Sequence, residues 1–130
     1  MTKIILMALI ALSVIMIKPT YATAPEKPKD PEPMTVAQAI EKASIDNGVS
    51  VQTMSNLAFC ESSHRYNVYG DGGHAYGIYQ FHRPTFDGFS KKYGLNLDYK
   101  SSYDQAVLAS KMVKDGYSSH WTCWKKIKKA

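Results

Sequence analysis

Apolar residues recur at steps of three and four through residues 35–115, the spacing that lines one face of an α-helix. The pattern predicts a mainly α domain. A first helix over Thr35–Asn47 carries Val36, Ala39, Ile40 and Ala43 on one side and stops at Gly48. Ser50 is a good N-cap for a second, Ser50–Ser62, whose stripe is Val51, Met54, Leu57 and Ala58. A third starts near Pro84, a first-turn position, with Phe86, Phe89 and Tyr93 on one face and Gly94 as its stop. A fourth, Ser102–Asp115, turns Tyr103, Ala106, Val107, Ser110 and Val113 inward, with Gly116 beyond its end. Between the second and third lie about twenty residues rich in Gly, Tyr and Asn, a length that usually signals function. That segment is either an irregular loop or a short β-hairpin through Val68–Phe81, turned by Asp71-Gly72-Gly73.

One residue breaks the pattern. Glu61 continues the apolar stripe of the second helix, so the face that builds the core ends in a carboxylate. Soon after it comes Gly73-His74-Ala75-Tyr76-Gly77-Ile78-Tyr79-Gln80-Phe81, an aromatic, glycine-broken stretch with one amide. Burial disfavours the charged form of an acid and keeps a proton available, which is what cleavage of a glycosidic bond requires. The same spacing also fits a helix-end glutamate whose carboxylate points to water.

The chain ends bound the rest. Residues 1–24 hold Lys3, an apolar run from Ile4 to Ile17 and the small-residue exit Tyr21-Ala22-Thr23-Ala24, the layout of a secretory signal peptide. The run is shorter than the roughly 20 residues of a membrane span, so no stable insertion is expected after its removal. An uncleaved anchor is the alternative, because Lys18 and Pro25 flank an imperfect cleavage site. Residues 25–33 hold four prolines and five charges and read as a stiff leader, leaving 34–130 as one small domain. Without Lys3 and Lys18 the formal charge falls from +5 to +3, too weak to argue for nucleic acid. The only cysteines are Cys60 and Cys123, and in an exported chain an even count favours a disulfide. Two buried free thiols, or a Cys60 nucleophile served by His64, are the other readings. His64, Asp71, His74 and His82 invite a metal site, and Glu61-x-x-His64 has the spacing of a carboxylate-bundle pair. No second pair completes it, and no metal or other cofactor is expected. Lys125-Lys126-Ile127-Lys128-Lys129 reads as a solvated basic end that favours an anionic wall.

The run Cys60-Glu61-Ser62-Ser63, then Gly77-Ile78-Tyr79-Gln80-Phe81, then Gln105-Ala106-Val107-Leu108-Ala109 resembles the catalytic core of lytic transglycosylases, members of the lysozyme-like superfamily. The likeness covers residues 35–124. Ile78 and Tyr79 stand where the family commonly has Leu and Met, and the late Asn-Ala-Gly element of longer members has no counterpart; Tyr117 or Trp121 is placed on that side of the groove. The resemblance implies a small lysozyme-like helical domain that cleaves the MurNAc–GlcNAc β-1,4 bond of peptidoglycan to a 1,6-anhydro product. Glu61 would be the acid and base, with Ser62, Asp71, Tyr79, Gln80 and Trp121 at the substrate, and Tyr66, Tyr69 and Tyr76 as further flat faces for sugar rings. The implied partner is the glycan strand, met by a monomer in the periplasm or outside the cell, in the service of a secretion, conjugation or phage apparatus. Two alternatives stand beside it: a hydrolysing lysozyme of goose type using Glu61 with Asp71, and a wall-binding module without turnover.

Overall fold

The computed structural model describes residues 33–128, so the expected signal peptide, the expected leader up to Glu32 and the last two residues lie outside the described part. The helices begin where side-chain caps can satisfy their free N–H groups. Thr35 and Gln38 form a reciprocal capping box that starts α1, Val36–Asn47, and left-handed Gly48 ends it. The Ser50 hydroxyl accepts the Thr53 N–H to start α2, Val51–Ser62. Pro84 sits in the first turn of α3, Arg83–Lys92, and Ser101 caps α4, Ser102–Lys114. A fifth helix, α5, runs over Thr122–Ile127 after a 3-10 turn at Ser118–His120.

The long segment after α2 is neither irregular nor a single hairpin. It is a three-stranded antiparallel sheet in the order β1 (Tyr69–Gly70), β2 (Ala75–Tyr76), β3 (Phe81–His82). Tyr69 faces Tyr76 across the first pair, and Tyr76 faces Phe81 across the second. The expected Asp71–Gly73 turn closes the first hairpin as a 3-10 turn, and Gly77–Gln80 closes the second.

α1 lies against α4 and α2, and α2 against α5. Their shared core includes Ile40, Met54, Leu57, Ala58, Ile78, Phe86, Leu108 and Met112. Each of these side chains except Ala58 contributes roughly 1.5–3 kcal/mol through burial. The stripes expected for α1 and α2 hold at Ala39, Ile40, Ala43, Met54, Leu57 and Ala58, although Val51 lies exposed at the start of α2. α4 corrects its expected face. Gln105, Leu108, Ala109 and Met112 are buried beside Ala106 and Ser110, whereas Tyr103, Val107 and Val113 are only partly covered. The helix is enclosed on more than one side, by α1 and by the turn after β2. The basic end is corrected too: Lys125 and Lys126 belong to α5, not to a tail.

Cys60 and Cys123 form a disulfide that joins the end of α2 to α5. Neither free thiols nor a Cys60–His64 nucleophile remains. No helix among the described residues is long and apolar enough to cross a membrane.

Candidate functional site

A cleft of about 670 Å³ opens where the end of α2, the small sheet and the start of α5 meet. Glu61 stands in its wall, half-buried on the last turn of α2. Its Oε1 is buried and takes no hydrogen bond from the described residues. Burial raises the carboxyl above the ordinary glutamate range, and the backbone N–H of Cys123 and the Lys126 ammonium oppose that rise more weakly. A buried oxygen without a protein partner is an expensive thing to keep, and such groups cluster where a ligand is to be met.

Gln80, the last residue of the Gly77–Gln80 turn, lines the same cleft. Gln80 has φ of 47°, in the left-handed region where a non-glycine backbone is strained by about 1 kcal/mol or more. Its own side chain fixes it there: Nε2 donates to the carbonyls of Gly77 (2.9 Å) and Val68 (3.2 Å). Oε1 accepts no hydrogen bond among the described residues and lies over Gly70, where a Cβ would stand 2.1 Å from it. Glycine at 70 is the space that this amide occupies.

Behind the turn stands Gln105, fully enclosed on α4. Its Oε1 accepts the Tyr79 N–H (3.2 Å), and its Nε2 donates to the carbonyls of Tyr76 (3.1 Å) and Tyr99 (2.9 Å). Gly77, at φ of 83°, lets the two meet, since a Cβ there would fall 2.3 Å from Nε2. Gln105 thus shapes the turn without reaching the cleft. The signal available in the sequence was an amide set among the apolar residues of helix four.

Of the residues expected at a substrate, Glu61, Asp71, Gln80 and Trp121 line one cleft. Ser62 and Tyr79 do not line it, which corrects their expected contact role. The Ser62 hydroxyl is buried between the carbonyls of Ala58 (3.0 Å) and Ile78 (2.9 Å), fastening α2 to the turn. Tyr79 is enclosed, donates its hydroxyl to the Met54 carbonyl (3.1 Å) and accepts the Trp121 Nε1–H at its own carbonyl (2.9 Å). Burial accordingly holds its phenol far above the usual range. Trp121 itself is largely buried, packing edge-on to Phe81, and offers the cleft only part of its ring. Tyr66, Tyr69 and Tyr76 stay out of the wall, Tyr76 because it is core. Tyr117 instead packs edge-on against Phe89.

Asp71, in the turn of the first hairpin, reaches His82 Nε2 on β3 at 2.9 Å, and the His74 ring lies 6.5 Å from that of His82. His64 is elsewhere: its Nε2 donates to the Ser55 carbonyl (2.9 Å) on α2. No group of three or more His, Cys, Asp or Glu among the described residues could hold a metal ion. Thr85, His120 and Thr122, which carry no pattern of their own in the sequence, complete the wall.

No family model, curated protein or solved structure matches the chain. What the fold and site define is a mainly helical domain with a small antiparallel sheet and one half-buried acid in an open cleft.

Proposed function

We propose that this protein is an exported peptidoglycan-cleaving enzyme, a lytic transglycosylase with Glu61 as general acid and base. The observation that carries the reading is the Glu61 carboxyl: half-buried, raised by burial, without a protein partner on Oε1, and in the wall of an open cleft of about 670 Å³. A protonated Glu61 would give its proton to the bridging oxygen as the bond from the muramyl C1 breaks and the electron pair leaves with GlcNAc O4. The substrate's own acetamido group would stabilise the electron-poor C1. The carboxylate would then take the proton of the muramyl 6-hydroxyl as O6 closes on C1, which returns Glu61 to its starting state and leaves a 1,6-anhydro ring.

The free acceptor on Gln80 suits an acetamido N–H, and the exposed part of Trp121 suits a sugar face. The Cys60–Cys123 bond and the lack of a membrane-crossing helix among the described residues fit a chain released into an oxidising compartment. The hydrolysing alternative keeps one supporting observation: Asp71 lines the same cleft. A binding module without turnover has no use for a half-buried carboxyl with one oxygen left unpartnered.

Mass spectrometry of products from purified peptidoglycan separates the readings. Ends one water lighter than reducing sugars support the transglycosylase, and reducing ends support the lysozyme. Glu61→Gln keeps shape while removing the proton, so turnover should fall by at least about 100-fold. Retained activity would end both readings that make Glu61 the acid.

A further inference from the structure

The cleft does not stop at Thr85 and His120. Both residues also line a second groove of about 230 Å³, which continues across α3 past Gly88 and Phe89 to Lys92. Gly88 is its most telling member. It lies inside a helix, where glycine is less favourable than alanine, and its backbone is not left-handed. A Cβ there would meet nothing within 4 Å, so neither backbone nor packing calls for glycine. What a side chain at 88 would do is fill the groove.

The groove's far end is cationic and its floor is aromatic. The Phe89 ring is held by Tyr117 at 5.0 Å and His120 at 5.1 Å between ring centres. The Lys92 ammonium sits 4.2 Å from the centre of the Tyr117 ring and donates to the Tyr117 hydroxyl. No carboxylate among the described residues is within ion-pairing distance of it. An oriented ammonium at the end of an open groove, beside a flat ring, suits a carboxylate carried on a larger apolar body.

We infer that this groove is an added subsite for the carboxylate-bearing peptide stem of the glycan strand, with Lys92 as its anchor and Gly88 as the residue that keeps it open. The inference rests on the proposed peptidoglycan activity and assigns that activity a preference for charged stems.

Kinetics on two substrates test it: native peptidoglycan, and the same material with its stem carboxylates chemically amidated. The wild-type protein should favour the native substrate by about five-fold in kcat/KM, the scale of one exposed charge pair. Lys92→Met, which keeps the stem over Tyr117, should abolish that preference. Gly88→Leu should abolish it as well, by occlusion. Lys114→Met, the same charge removal outside the groove beside Gly48, should retain it. A wild-type protein blind to amidation, or a preference that survives in Lys92→Met, overturns the subsite while leaving the Glu61 chemistry intact. No cleavage of either substrate by the folded wild-type protein overturns the activity itself.

Discussion

Replacing Gln105 by Met removes an amide and keeps most of the side chain's shape. The loss is confined to three buried hydrogen bonds, to the Tyr79 N–H and the carbonyls of Tyr76 and Tyr99. A buried backbone group left without a partner costs about 1–3 kcal/mol, so three of them cost at least about 3 kcal/mol. Domains of this kind are stable by only about 5–15 kcal/mol in total. Each kcal/mol moves the midpoint of a small domain by roughly 4–8 °C, so Tm should fall by about 12 °C or more. Thermal unfolding followed by circular dichroism reads this directly. Gln52→Met makes the same chemical change on the exposed face of α2, where Gln52 donates to Asn56, and should cost no more than about 0.5 kcal/mol. A drop below about 4 °C for Gln105→Met would refute the reasoning, since the freed groups would then have found other partners. Gly77→Ala supplies an independent check. Its Cβ would strike the Gln105 amide, so part of its cost should vanish when Gln105 is alanine, and the double variant should be more stable than the sum of the singles.

The Glu61 carboxyl is raised, so the folded state holds its proton more tightly than the unfolded one and stability falls as pH rises through its folded pKa. Glu61→Gln should therefore be more stable than the wild-type protein near neutral pH, with the gain fading below the ordinary glutamate range; denaturant titrations at several pH values check the sign, and a gain that grows towards acid pH would contradict it. Reducing the Cys60–Cys123 bond should lower stability by about 2–4 kcal/mol and depress activity further than that loss explains, because the same bond fixes the surroundings of Glu61. Melting and peptidoglycan turnover, each with and without reductant, test the two parts. Asp71→Asn should leave most of the activity under the transglycosylase mechanism, the His82 pair serving mainly to shape the hairpin; a loss as deep as that of Glu61→Gln in the same assay would transfer the reading to the two-carboxylate lysozyme.

Local signals in the sequence were reliable where local chemistry decides. Thr35, Ser50 and Pro84 marked three helix starts because capping and first-turn geometry depend on neighbours a few residues away. Glu61 was legible for the same reason: a carboxyl on an apolar stripe is visible within one helix. The small sheet was legible only as an alternative, since two-residue strands are too short to show alternation. Long-range partners were hidden. Ser62 and Tyr79 looked like substrate contacts because they flank the motifs, yet their hydroxyls are used by carbonyls on other segments. α5 was read as a basic tail because its lysines mask one buried residue, Cys123, whose partner lies 63 positions earlier.

That separation also orders events in time. Synthesis runs from the N-terminal end, so Cys60 is made 63 residues before its partner Cys123, and Trp121 comes only just ahead of that partner. Until Trp121 and Thr122 are in place the Glu61 carboxyl lacks one wall of its cleft and stands closer to an ordinary, solvated glutamate. A chain halted before Trp121 lacks Trp121 and Thr122 from the cleft wall and Cys123 from the disulfide. Burial of Glu61 thus waits on the docking of α5, among the last of the described residues to be made.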